Sequence, residues 1–327
     1  MTQKVLPSNH LVAVSDNGAP ITSDGGNVLL SMFLNSPVVS RLFNNVEFND
    51  NRKNPRYAKV ELLLQMLIQV IEGYRNDNVA DYLIQDIEHR LVYAQNMASQ
   101  PTISRFLSHL TNEDIDELQE LNRRIVSLID ERSANTELVL DLDSTYFETF
   151  GHQEKIGFNY HYLNIGYHPL IMTDEFEYQA ASWDKARRVI VLNDEHGGTQ
   201  FIVTNLSLPQ KDIVRVYRKR AAIEDIIREL KGGFAFGKTD SSSFFANKAR
   251  MWISVIASNL MRLMKSIALD DQQQSWTINT FRDRLLKIGG RVTKHARKVI
   301  LTLDSRIQEQ FDGLFWRAWE RLNALWQ

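Results

Sequence analysis

Between Tyr57 and Gly73 apolar residues recur at Val60, Leu63, Leu64, Leu67, Ile68 and Ile71, the 3.6-residue period of a helix with one buried side, and Gly73 is placed to stop it. Downstream, Pro101 suits the first turn of a short helix capped by Ser99 or Gln100. A longer helix is predicted from about Asn112 to Glu131, with Thr111 as cap and Asp114 in the capping-box place. From Leu138 the period drops to two. Leu138, Leu140 and Leu142 alternate with Val139, Asp141 and Asp143, which predicts a strand with both aspartates on one face near its end. Tyr160 to Met172 reads as hairpin strands with Gly166 between them, and Val189 to Leu192 as a further strand ending at Asp194. Helical periodicity returns at Tyr217 to Lys231 and again at Met251 to Ile267, where Met251, Trp252, Val255, Ile256, Leu260 and Met264 are expected core residues. Trp316, Trp319 and Trp326, also at helical spacing among apolar neighbours, are expected core as well. The pattern predicts an α+β protein, mainly helical, in three regions: a helical 1–135, an α/β 136–250 and a helical 251–327.

The segment YRKRAAIEDIIRELK carries the densest chemistry. At about 100° per residue, Tyr217, Arg220, Glu224 and Lys231 fall within roughly 60° of one another on a helix. Ile223, Ile226, Ile227 and Leu230 form an apolar stripe beside them. A docked helix would thus present one acid among several bases, which makes Glu224 a candidate metal ligand. On a plain solvated face the same acid would only pair with Arg220 and Arg228, four residues to either side.

Composition narrows the setting. The 327 residues, 43% hydrophobic, are enough for a substantial core, and with no cysteine there is neither disulfide nor thiolate metal site. No apolar run approaches the roughly 20 residues that span a bilayer, and no signal peptide is visible, so a cytoplasmic location is expected. The net charge of −2 hides a polarity: Leu206 to Gln327 holds 22 Lys plus Arg against 12 Asp plus Glu, and the residues before it 16 against 28. The basic part, with Arg284, Lys287, Arg291, Lys294, Arg297 and Lys298, could follow a phosphate backbone. Equally, its cations could complement acids of the N-terminal half. Thr102, Ser104 and Arg105, early residues of the short helix after Pro101, suit either the reading of DNA or ordinary helical packing.

These motifs together resemble one family. Tyr217, Arg220, Glu224 and Lys231 match the Y-x2-R-x3-E-x6-K signature of bacterial insertion-sequence transposases of the DDE type. Asp143-Ser-Thr, with Gly151, Gln153, Asn159, His161, Tyr162, Gly166, Tyr167, His168, Pro169 and Leu170, is similar to the opening of their catalytic domain. Asp24-Gly25-Gly26, the run from Ser99 to Phe106 and Phe244-Phe245-Ala-Asn247-Lys-Ala-Arg250 extend the likeness over most of the chain. The resemblance implies a ribonuclease H-like core binding two Mg2+ or Mn2+ ions, acting on double-stranded DNA at element ends as a homo-oligomer. It implies Asp143 and Glu224 as metal ligands and catalytic acids, with Asp141 only a neighbour. Lys231 and Arg220 would contact phosphate, Tyr217 would position DNA, and Thr102, Ser104 and Arg105 would bind it.

One part of the family pattern is missing. The second acid and its Arg-x-Asp-Ser-Gly-Phe type motif occur nowhere, and Leu170 to Asp174 runs directly into a segment, Glu175 to Val189, similar to one well past that acid. An internal deletion near Asp174/Glu175 is expected, leaving the core incomplete and catalysis impaired. Asp194 is the nearest possible substitute; it and Asp174 also suit solvated loops. A non-catalytic DNA-binding inhibitor of transposition and a nonfunctional remnant are the alternatives.

Overall fold

The computed structural model describes, with side chains, residues 21–86, 97–132, 223–293, 300–304, 307 and 313–327. It also describes the backbone at 3–6, 9–15, 142–144, 147–148, 157–159, 164–167, 170–172, 188–193, 199–204, 221–222, 294–295 and 298–299. Among these residues the chain is mainly helical with short antiparallel strands, as the periodicity predicts. It divides into two compact units. One comprises Met1–Ala134, Phe150–Glu154 and Leu230–Gln327, the other Asn135–Thr149 and Lys155–Glu229.

The first unit opens with a hairpin of β1 (Gln3–Leu6) and β2 (Asn9–Ser15) and a short β3 (Ile21–Thr22). Among the described residues six helices follow: α1 (Asn27–Leu34), α2 (Pro37–Asn44), α3 (Lys59–Glu72), α4 (Val79–Leu83), α5 (Gln100–Ser108) and α6 (Asn112–Arg132). The predicted helix of Tyr57 to Gly73 is α3. Leu63, Leu67, Ile68 and Ile71 are buried along it, Val60 and Leu64 are half-buried, and Gly73 ends it at φ 93°, in the left-handed region that glycine enters without cost. Gly73→Ala is expected to lower stability by about 1 kcal/mol, measured as a fall in denaturation midpoint. The added Cβ would also lie 3.1 Å from the Arg282 guanidinium carbon.

The capping box of α6 forms as expected. Asp114 accepts from the Thr111 amide at 3.0 Å, and its own amide donates to Thr111 Oγ1 at 3.4 Å. Asp114 is also wholly buried and bonded at 2.8 Å to the ammonium of Lys59 in the first turn of α3.

The remaining elements of this unit are α8 (Phe244–Ala268), α9 (Asp271–Gln274), α10 (Ile278–Phe281), a π-helical turn at Arg282–Leu286, β11 (Gly290–His295), β12 (Lys298–Leu303) and α11 (Leu314–Asn323). Helix α8 is the axis of the unit and packs on α6, α3, α5 and α11. Such a position demands burial around most of its circumference, and Ile253, Ile256, Ala257, Leu260, Met261 and Met264 are all inside. Met251, Trp252 and Val255, expected in the core, are only half-buried. On α11 the core side is Leu314, Phe315, Ala318 and Leu322. Trp316 (43% exposed) therefore faces solvent, contrary to the expectation from its spacing, as does Trp326 (51%) in the short turn beyond the helix, and Trp319 is half-buried. The apolar stripe of α11 is narrow, and the smaller residues fill it.

β12, β11 and β3 form a three-stranded sheet against which the Asp24-Gly25-Gly26 turn is set. The amides of Gly25 and Gly26 donate to the carbonyls of Ile288 (2.8 Å) and Leu286 (3.0 Å). A Cβ on Gly26 would fall 1.8 Å from the Leu285 carbonyl oxygen, so only glycine fits there. Asp24 closes the turn, accepting from Ser23 Oγ at 2.9 Å and pairing with Lys287 at 3.1 Å. The motif is thus a structural clamp on the π-helical turn and the sheet.

The second unit holds β4 (Leu142–Ser144), β5 (Phe147–Glu148), β6 (Gly157–Asn159), β7 (Asn164–Tyr167), β8 (Leu170–Met172), β9 (Arg188–Asn193) and β10 (Thr199–Thr204). It also holds the first nine residues of α7 (Ala221–Gly233), from Ala221 to Glu229. β4 pairs with β8, β7 lies between β5 and β6, and β9 pairs with β10. Of the strand expected from Leu138, the described part is Leu142–Ser144; within Tyr160 to Met172 the described strands are Asn164–Tyr167 and Leu170–Met172; and Val189 to Leu192 lies within β9. Gly166, expected between strands, lies within β7 opposite Gly157 and Glu148.

Candidate functional site

Asp143 occupies the middle of β4, where its register partner in β8 is Ile171. Glu224 lies in the first turn of α7, exposed, while Ile223, Ile227 and Leu230 of the same helix are buried. Three of the four stripe residues thus bury as expected, Ile226 being half-buried, and the Glu224 side is turned outward. Both acids belong to the second unit. Arg228, which could have neutralised Glu224 from four residues along, forms an ion pair with Asp225 at 2.8 Å. Tyr217, Arg220, Asp141, Asp174 and Asp194 lie outside the described residues. Among the described side chains no three His, Asp or Glu converge as a metal site would require. The donor set that the sequence offers, carboxylates from a strand and a helix, nonetheless suits a hard divalent cation.

Lys231 sits in the last turn of α7, belongs to the first unit and is half-buried, and burial draws its ammonium below the ordinary lysine pKa. The carboxyl end of α7 is tied down by two guanidinium groups. Arg75 donates to the carbonyl of Gly232, and Arg282 donates to that of Gly233 at 2.6 Å. Arg282 also donates to the carbonyls of Val70 and Ile71 at the end of α3, at 2.8 and 2.6 Å, so one buried side chain joins two helix ends.

Sequence reading missed a polar network beside Lys231. Asp77 accepts from Arg250 Nη1 at 3.0 Å and from Lys238 at 2.9 Å. Burial pushes its carboxyl up, but these two cations outweigh that and hold it below the usual carboxylate range. Asn247 binds the main chain of Ser241 in both directions, at 2.7 and 3.1 Å. Asn247 and Arg250 stand in the Phe244 to Arg250 motif. Its spacing signals a helix start, whereas the partners at Asp77 and Ser241 are fixed only by tertiary structure.

On α5, Ile103, Phe106 and Leu107 are buried while Ser104 and Arg105 are exposed. Thr102 is half-buried, its hydroxyl 3.2 Å from Ser99 Oγ and 3.4 Å from Arg105 Nη2. The Gln100 amide at the start of the helix donates to Asp81 at 3.0 Å, so a carboxylate already occupies part of the end that would face a phosphate. Of the basic C-terminal residues, Lys287 is paired with Asp24 and Arg284 lies over the Trp276 ring at 5.0 Å, which supports the internal use of these two cations. Arg291, Lys294 and Lys298 lie on the β11–β12 hairpin; Arg297 is outside the described residues.

The sequence profile of the family described as Transposase DDE domain group 1 matches residues 5–175 and again residues 171–327. The chain belongs to this family of DDE transposases. Its class of substrate is accordingly DNA, and transposase domains of this kind generally use divalent metal ions. Neither a curated protein nor a solved structure matches the chain. Among the described residues no helix is long and apolar enough to cross a membrane.

Proposed function

We propose that this chain is a bacterial insertion-sequence transposase of the Y-R-E-K class that has lost its second catalytic acid through an internal deletion, and that it binds DNA but cleaves it little. The observation that carries this reading is the seam in the family match: its two stretches, 5–175 and 171–327, meet within a few residues of Asp174/Glu175. The abrupt passage there from Leu170–Asp174 to a segment like one beyond the second acid points the same way. Asp143 and Glu224 are the surviving acids of a ribonuclease H-like core between a helical 1–135 and a basic 251–327. Bound to them, a pair of Mg2+ or Mn2+ ions would polarise the scissile phosphodiester and stabilise the leaving oxygen. With the third carboxylate gone the ions lose both affinity and placement. Arg220 and Lys231 contact phosphate, Tyr217 positions the strand, and Thr102, Ser104 and Arg105 touch the duplex. Asp194 remains the candidate substitute ligand. The chain acts as a nucleoid-associated homo-oligomer or pairs with full-length copies as an inhibitor of transposition.

The well-filled core of the first unit, which carries Thr102, Ser104 and Arg105, favours a chain that still binds DNA over a nonfunctional remnant. The test is duplex binding in EDTA beside nicking in Mg2+ or Mn2+. Binding that persists in EDTA with no metal-dependent nicking is expected. Loss of binding in EDTA, or efficient nicking, would overturn the reading.

A further inference from the structure

Beside the last turn of α7, entirely within the first unit, an open groove of about 480 Å³ is lined by Arg75, Asn76, Lys231, Lys238 and Asp240. We propose that Arg75, Asn76 and Lys238 complete, with Lys231, a phosphate-binding groove that holds the backbone of a DNA strand. The inference rests on the transposase reading and extends it from Lys231 to three residues that the sequence motifs do not include.

The walls of the groove are fixed before any ligand arrives. The loop after α3 is held by Asp77 between Arg250 and Lys238, and by Arg75 on the Gly232 carbonyl. The loop after α7 is held by Lys238 on Asp77 and by Asn247 on Ser241. A site whose side chains are already ordered forfeits little entropy on binding. Charge favours an anion: among the described residues lining the groove, Arg75, Lys231 and Lys238 stand against the single acid Asp240. Arg75 and Asn76 are exposed, offering a guanidinium fork and an amide to phosphate oxygens.

The test is the salt dependence of duplex DNA binding by the full chain, measured by fluorescence anisotropy in EDTA. Each phosphate contact contributes about 0.9 to the slope of log affinity against log salt. Arg75→Gln is expected to lower the slope by about 0.9, and Arg75→Lys, which keeps the charge, to restore it. Asp240→Asn, which removes the repelling acid at the rim, is expected to raise affinity. If Arg75→Gln leaves the slope of wild type unchanged, or if Arg75→Gln and Arg75→Lys lower it equally along with the melting temperature, Arg75 only caps α7 and the groove is overturned. If wild-type protein binds no duplex at all, the transposase reading fails first and the groove with it.

Discussion

Replacing Arg282 with methionine should lower the free energy of unfolding by about 4 kcal/mol or more, a loss well beyond that of an ordinary substitution. The side chain is 5% exposed, so methionine can fill its volume but not its bonds. Its guanidinium donates to the carbonyls of Ile71, Val70 and Gly233 and to Asn279 Oδ1, all between 2.6 and 2.8 Å. Hydrogen bonds to a charged donor contribute about 1.5–3 kcal/mol each, and acceptors left buried without a partner add their desolvation cost. The carbonyls concerned close α3 and α7, so both helix ends loosen together. Lysine presents its donors from a single point rather than a planar fork, and Arg282→Lys should recover less than half of the loss. Urea denaturation measures both. A midpoint for Arg282→Met equal to that of wild type would show that the joint between the helices contributes nothing.

Asp114→Ala should cost about 3–5 kcal/mol, because it strands a buried cation. Asp114 Oδ2 accepts from Lys59 at 2.8 Å and from the Thr111 amide at 3.0 Å, and Oδ1 accepts from the Asn49 amide at 3.1 Å. Lys59 is 7% exposed and donates also to the Asn49 carbonyl at 2.6 Å, so its ammonium cannot swing to water without giving up that bond. Removing both charges is a different matter. Lys59→Met with Asp114→Leu should recover most of the single-variant loss, since an apolar pair of similar volume replaces a buried ion pair at little cost. A double variant as unstable as Asp114→Ala would mean that the cap on α6, rather than the ion pair, carries the effect.

These two joints show where sequence reading reached and where it stopped. The capping box of Thr111 and Asp114 was legible because its partners are three residues apart, and α3 because its apolar period and terminal glycine agree. That Asp114 would also meet Lys59, 55 residues away, has no local signal. The same holds for Arg282, whose carbonyl partners at Val70 and Ile71 are more than 200 positions distant. Strands β1 and β11 escaped because their alternation is broken by polar residues on both faces, as in Arg291-Val-Thr-Lys-His295. Trp316 and Trp326 misled because helical spacing marks a stripe without saying which side is inside. Of the candidate site, the positions of Asp143 on a strand and Glu224 on a helix were readable from period and motif. The groove residues Arg75 and Lys238 were not, since they come from two loops, far apart in sequence, that are joined by the bonds of Lys238 to Asp77 and of Arg75 to the Gly232 carbonyl.

The decisive measurement is divalent-metal-dependent cleavage of a duplex bearing an insertion-sequence end by three chains: wild type, Glu224→Ala and Asp194→Asn. If only two of the three catalytic acids survive, all three proteins should give equal and negligible cleavage in Mg2+ and in Mn2+ while still retaining the duplex. Robust cleavage by wild type that Asp194→Asn abolishes would contradict this, showing that Asp194 serves as the third ligand and that the enzyme is whole.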